Sequence, residues 1–178
     1  MAKKILMIVA PVNYRDEELE IPKAHFEKSG FNVVIASTKK GTCNGMLGGS
    51  TEASVSLNEI NVDDYDGIVF VGGSGTPLIR KEERALEIAR EGVAKGKVVG
   101  AICWAPTTLA KAGVLKGKKA TVWFGPDNEF GVRTDKVIEK FGGLYVSQPV
   151  VTDGKIITAD GPRSAKKFAE EIVKLLGS

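Results

Sequence analysis

Histidine occurs once in this chain of 178 residues, and cysteine twice. His25, Cys43 and Cys103 lie far apart in sequence and make a poor metal-ligand set. Two cysteines also form no disulfide framework, so free thiols in a cytoplasmic setting are expected. No apolar run approaches the about 18 residues that a membrane span needs. The opening "MAKKILMIVAPV" carries two lysines and about eight apolar residues, but no small-residue cleavage pattern closes it and "NYRDEELE" follows directly. It reads as a first buried strand rather than a secretion signal. No Lys/Arg block exceeds a pair, and the formal charge of +3 is spread along the chain. Nucleic acid is therefore not expected as a partner, and neither is a membrane.

What is present suits a globular protein: 43% hydrophobic and 26% charged residues. At this length a single domain over 1–178 is expected. Short apolar runs alternate with amphipathic stretches from end to end. "KILMIVA" (4–10), "NVVIAS" (32–37), "GIVFVGG" (67–73), "KVVGAIC" (97–103) and "KKATVWF" (118–124) read as strands. Helices are expected over 17–30, 81–95, 105–112, 133–143 and 164–177. The Gly-, Thr- and Ser-rich stretch 38–60 suggests a small antiparallel excursion. "QPVVTDGKIITAD" (148–160) reads as a hairpin, with Asp153-Gly154 suited to a type I′ turn. Alternation of this kind predicts an α/β fold with a mostly parallel central sheet and helices on both faces.

In such sheets ligands bind beyond the carboxyl ends of the strands. Cys103 lies where "KVVGAIC" ends, flanked two positions away on each side by Ala101 and Ala105. A nucleophile elbow needs that spacing, because its tight turn leaves no room for bulky groups there. The Trp104 backbone N–H would then face the reacting atom, and the following helix would favour thiolate. A buried structural cysteine fits the same pattern, and both readings stay open on spacing alone.

"VFVGGSGTP" (69–77) is a second glycine-rich turn. Its glycines at 72, 73 and 75 do not fit G-x-G-x-x-G, since Leu78 holds the third position, and it lacks the G-K-[ST] of a phosphate loop. A bare backbone that can approach a ligand remains, with the Gly73 N–H a second oxyanion donor opposite Trp104. A plain strand-end turn accounts for it equally well. At "YRDEELEIP" (14–22), Asp16, Glu17 and Glu18 favour a helix N-terminus through its dipole. One of them could also reach the thiol.

The Glu18-Leu19-x-x-Pro22 start, the Gly72-Gly73 turn, "AICWAP" and the closing "VVTDGKIITADGP" (150–162) together resemble the DJ-one/ThiJ/PfpI superfamily over essentially the whole chain. The resemblance implies a flavodoxin-like sandwich. It places the elbow cysteine on Cys103, the family's glutamate on Glu18, and oxyanion donors on the backbones of Gly73 and Trp104. A protonated Glu18 could donate to the sulfur and stabilise thiolate, whereas a charged one would oppose it.

The departure from the family pattern is at 104, where PfpI-type members with proposed peptidase activity have histidine. Tryptophan has no basic nitrogen and only donates. His25 falls about two helical turns beyond Glu18, so no local Cys-His dyad assembles, and cysteine-peptidase and amidotransferase chemistry are disfavoured. The DJ-one branch, closer in character, implies cofactor-free glyoxalase or deglycase chemistry on small reactive aldehydes. It also implies an alternative: oxidant sensing or chaperone-like protection through oxidation of Cys103. A third reading is a binding-only fold whose pocket Trp104 fills. Trp123 and Phe124 follow the next strand and could line this edge of the sheet, with core packing the expected role for both. The resemblance further implies a homo-oligomer and no cofactor.

Overall fold

The computed structural model describes residues 2–177. Its centre is a seven-stranded sheet of β1 (Lys4–Ile8), β2 (Asn32–Ser37), β3 (Val55–Ser56), β4 (Gly67–Phe70), β5 (Val98–Ile102), β6 (Val150–Asp153) and β7 (Ile156–Ala159). The spatial order is β6-β7-β5-β4-β1-β2-β3, and every neighbouring pair is parallel except β6 with β7.

Strands covered on both faces lose the polar side of the usual alternation, which is why β1, β4, β5 and β7 read as continuous apolar runs. Their successive side chains still divide by period two. Leu6, Ile8, Ile68, Phe70, Val99 and Ala101 enter one core, and Ile5, Met7, Val69, Val98, Ile102 and Ile157 enter the other. Helices α1 (Asp16–Lys28) and α6 (Ala165–Leu176) cover the second face. Helices α2 (Thr76–Arg80), α3 (Glu83–Ala94), α4 (Pro106–Ala112) and α5 (Thr134–Lys140) cover the first. This is the flavodoxin-like arrangement expected from the sequence.

Three local details differ from or sharpen the sequence reading. The excursion is a hairpin of Gly41–Gly45 with Ser50–Ala53, joined to Val12–Tyr14 as a separate three-stranded sheet. The expected strand over 118–124 shrinks to Lys119–Ala120, paired with Leu144–Tyr145. Beyond it the chain leaves the ladder, because the Thr121 N–H donates to Thr158 Oγ1 at 2.9 Å and the Trp123 N–H to the Cys103 carbonyl at 2.7 Å. In the β6–β7 hairpin, Asp153 pairs with Ile156, so the turn residues are Gly154 and Lys155. Only Gly154 of that pair has a positive φ (62°), the signature of a II′ rather than a I′ turn.

Strand order reverses at β1, with β2 on one side and β4 on the other. A crevice opens at such a switch point beyond the strand ends. The loops after β1, β4 and β5 converge there.

Candidate functional site

Cys103 follows β5 directly and sits at φ 64°, one of two non-glycine residues with positive φ among those described. That conformation costs on the order of 1 kcal/mol or more and persists only where the surroundings enforce it. Here the Cys103 N–H donates to the Ala159 carbonyl at 2.8 Å, and its own carbonyl accepts from Trp123. The Ala105 N–H closes the turn onto the Ile102 carbonyl at 3.1 Å. Ala101 and Ala105 are buried against the turn. The local geometry is that of an elbow.

The turn after β4 meets it. A methyl group on Gly72 would lie 2.3 Å from the Ile102 carbonyl oxygen, 2.6 Å from Glu18 Oε1 and 2.7 Å from Cys103 Cβ. Only a bare Cα fits between the acid and the elbow. Gly73 has φ 112°, and a Cβ there would strike the Arg15 nitrogen at 2.4 Å. The backbone N–H groups of Gly73 and Trp104 bear on the Cys103 sulfur and favour its charged form. Cys103, Glu18, Gly73 and Trp104 are thus brought to one place.

The three acids at the start of α1 have three different tasks. Asp16, buried, accepts from the N–H groups of Leu47 (2.7 Å) and Gly49 (2.8 Å), pinning the excursion hairpin beside the site. Glu17 grips Arg15 through two bonds, Nε at 2.9 Å and Nη2 at 3.0 Å. Glu18 is fully buried, and neither of its oxygens has a hydrogen bond of standard geometry. The polar groups that bear on its titration are the Cys103 thiol, Arg15, the Gly72 N–H and the Glu17 carboxylate.

Burial dominates the electrostatics of this pair. Loss of water pushes Glu18 up to about 8, against the weaker pull of Cys103, Arg15 and Gly72 in the other direction. Glu18 therefore carries a proton at neutral pH. Burial also pushes the Cys103 thiol up, and negative charge on Glu18 adds to that, while the Gly73 and Trp104 N–H groups pull it down. The net shift of the thiol is upward, against the thiolate that helix α4 was expected to favour. Two turns of helix cannot offset the removal of sulfur from water. Two acids in contact exchange protons as a pair. Loss of one proton leaves a single negative charge on the pair: the Gly73 and Trp104 N–H groups favour it on sulfur, whereas desolvation of the thiol, Arg15 and the Gly72 N–H favour it on Glu18.

The Trp104 ring is tethered to a carboxylate. Its Nε1 donates to Asp127 Oδ2 at 2.8 Å. Burial pulls Asp127 up, but bonds from Arg80 and Trp104 outweigh it and hold the carboxylate below its ordinary value. Arg80, fully buried, donates to both Asp127 oxygens (2.6 and 3.1 Å), to Glu129 Oε2 (2.7 Å) and to Thr107 Oγ1 (2.8 Å). Thr107 in turn donates to the Trp104 carbonyl at 2.7 Å. The space in front of sulfur is consequently open. A cleft of about 300 Å³ has Cys103, Trp104, Gly73 and Ser74 on one side, with Arg15, Met46, Trp123 and Pro162 around the rim. A larger and shallower concavity of about 590 Å³, lined by Phe124, Tyr145 and Asp160 among others, contains no cysteine.

Trp123 packs, partly buried, against the second core and also lines the cleft, whereas Phe124 is 54% exposed under the Arg133 guanidinium. The truncated strand before them explains this. Reading the sequence also missed Arg15, Arg80 and Asp127. Arg15 was visible as the basic residue directly before the acidic run, whereas nothing local links Arg80 to a carboxylate 47 positions away. His25 sits in the last turn of α1, outside the cleft lining. Cys43 is buried in the excursion, with its thiol raised mainly by burial. Among the described residues no group of three or more His, Cys, Asp or Glu side chains could hold a metal, and no helix is long and apolar enough to cross a membrane.

Residues 3–175 match the sequence profile of the DJ-1/PfpI family. The chain is 42% identical over 174 residues to an uncharacterized protein of Methanocaldococcus jannaschii, covering 97% of this chain and 82% of that one. It is 35% identical over 173 residues to deglycase PfpI of Pyrococcus furiosus, covering 97% and 99%. The crystal structure of a ThiJ/PfpI domain protein from Brachyspira murdochii superposes with a TM-score of 0.91 at 29% identity, over 99% of this chain and 97% of that one.

Proposed function

The chain belongs to the DJ-1/PfpI family, and from that premise we propose that it converts small reactive dicarbonyl compounds without a cofactor, by glyoxalase- or deglycase-type chemistry at Cys103. The observation that carries this reading is that the fully buried Glu18 carboxyl and the Cys103 elbow close on the same bare Gly72 carbon, beside the Gly73 and Trp104 backbones. The deglycase name borne by the Pyrococcus furiosus relative supports it.

The reaction starts from the pair after loss of one proton, with the charge on sulfur. The thiolate attacks the aldehyde carbon, a C–S bond forms, and the carbonyl electrons move to oxygen between the Gly73 and Trp104 N–H groups. Glu18 gives that oxygen its proton and becomes the carboxylate. It then takes the hydrogen of the attacked carbon as a proton and returns it to the adjacent carbon, while the hydroxyl proton moves to the neighbouring oxygen. The product is a thioester of the 2-hydroxy acid. Water cleaves the C–S bond, releasing the hydroxy acid and restoring the pair with its single proton. Across the cycle one dicarbonyl and one water give one hydroxy acid.

Cysteine-peptidase chemistry is disfavoured because Trp104 offers no base and is tied to Asp127. The test is consumption of methylglyoxal by wild type, Cys103→Ser and Glu18→Gln. Both variants are expected to lose at least about 100-fold in rate, the lower range for a proton-transfer group. Turnover equal to wild type in either would overturn the reading.

One observation favours a second use of the same atoms. Donors that hold an oxyanion would also hold an oxidised sulfur, and Cys43 is buried elsewhere, so it is not placed to resolve a sulfenic acid as a disulfide. Mild peroxide should then add oxygen at Cys103, located by peptide mass spectrometry; modification confined to Cys43 would count against it. The working unit in either case is taken to be a homo-oligomer, supported by exposed Val12, Ile21 and Leu47 near α1 and its hairpin. Sedimentation equilibrium measures it directly.

A further inference from the structure

The cleft in front of Cys103 is polar only at one point. Its reacting end holds the thiol and the two N–H donors, and its single cation, Arg15, is already gripped by Glu17 through both oxygens. Beyond Ser74, Met46 and Pro162, the wall is made by two indoles. Trp104 and Trp123 lie with ring centroids 5.5 Å apart, tilted by 46°.

Both rings are fixed by residues remote from the reaction. The Trp104 indole is held by Asp127, which the fully buried Arg80 grips with two bonds. The Trp123 ring lies over Gly125, where a Cβ would approach Cη2 to 2.2 Å and Cζ2 to 2.4 Å, so only glycine lets it adopt that pose. Its backbone N–H is also fastened to the elbow itself. One tethered indole and a second seated over a glycine, tilted to each other, form a preorganised apolar wall beside the nucleophile, with little ordering left to occur on binding. A hydrogen or methyl substituent leaves that surface uncovered, whereas a planar ring covers it in a tilted or offset stack.

We propose that Trp104 and Trp123 are the specificity-determining wall of this site, and that the dicarbonyls it prefers carry a planar apolar substituent, as arylglyoxals do. The proposal rests on the reading of Cys103 as the attacking group. Arg80 and Asp127 are positioning residues for the wall.

The test separates recognition from turnover by using two α-bromoketones on the intact protein, 2-bromoacetophenone and bromoacetone. In each, the Cys103 sulfur attacks the methylene carbon, a C–S bond forms, and bromide leaves with the C–Br electron pair while the thiol proton goes to solvent. Rates at Cys103 are located by peptide mass spectrometry and divided by the rates with glutathione, which removes intrinsic reactivity. The normalised aryl-to-methyl ratio is expected to be about 2- to 10-fold in wild type, the range that one aromatic contact supplies. It should fall toward one in Trp123→Ala, and part of the way in Trp104→Phe, which keeps a ring but loses the bond to Asp127. Trp123→Leu serves if the alanine variant does not fold.

A wild-type ratio of one or less, a Cys103 inert to both reagents, or a ratio unchanged in the variants overturns the proposal. The two readings fail separately. An aryl preference in alkylation without turnover of methylglyoxal or phenylglyoxal would retain the wall and discard the carbonyl chemistry. Turnover of methylglyoxal with an alkylation ratio of one would do the reverse.

Discussion

Glu18 and Cys103 press on the same bare carbon: a single methyl group added at Gly72 would stand 2.6 Å from Glu18 Oε1 and 2.7 Å from Cys103 Cβ. The acid comes from the first turn of α1 and the thiol from the turn after β5, and the tightness of that glycine sets their separation.

Gly72→Ala should therefore disturb both residues at once. Overpacking of this kind costs about 1–3 kcal/mol, to be read from urea unfolding. Alkylation of Cys103 should change with it, since neither the Ile102 carbonyl nor the elbow can yield without moving the sulfur. A stable variant with an unaltered alkylation rate would show that the contact relaxes without touching the elbow.

The raised Glu18 predicts a sign for stability against pH. Its ordinary value of 4.5 applies unfolded and about 8 applies folded. Between those limits the folded state binds more protons than the unfolded chain, so stability falls as pH rises, by up to about 1.4 kcal/mol per pH unit. The contribution is fully present below 4.5 and lost on passing through about 8. Glu18→Gln removes it. The difference between wild-type and variant unfolding free energies should decline across that window and level off above it; parallel profiles would contradict the assignment.

The same pair should govern thiol reactivity. The rate of iodoacetamide alkylation of Cys103 is expected to rise through the region to which Glu18 is pushed, about 8, as the pair gives up its first proton. In Glu18→Gln that inflection should disappear, leaving the titration of a single buried thiol. Superimposable profiles would mean that the two groups do not share a proton.

Asp16 offers a test of the loop beside the cleft. Asp16→Ala leaves the Leu47 and Gly49 N–H groups without their acceptor, which costs about 1–3 kcal/mol where they stay buried. Hydrogen exchange should accelerate at those two amides first, with Asp16→Asn intermediate. Exchange unchanged at both would show that water replaces the carboxylate at no cost.

Much of this was legible locally. Parallel strands buried on both faces leave continuous apolar runs, so β1, β2, β4 and β5 stand out in sequence close to their observed limits. The segment 118–124 misled because Val122 and Trp123 look like strand residues, yet they serve the end of the sheet. Its departure from the ladder depends on Thr158 and Cys103, which are distant in sequence. The hairpin at 150–159 was placed correctly, but its turn falls one residue later than Asp153-Gly154, since cross-strand register, not dipeptide preference, selects the central pair.

The sequence by itself determined the alternation of strands and helices, the edge at which a ligand would bind, and an elbow at Cys103 flanked by small residues. Those features are written in neighbours a few positions apart, where periodicity and backbone sterics act. Only the tertiary structure decided which of the three acids meets the thiol, that burial rather than the helix dipole sets the charge of the pair, and that Trp104 leans on Asp127 instead of closing the cleft. Each of those outcomes rests on desolvation or on a bond between residues far apart in the chain, and neither exists until the loops after different strands have been brought together.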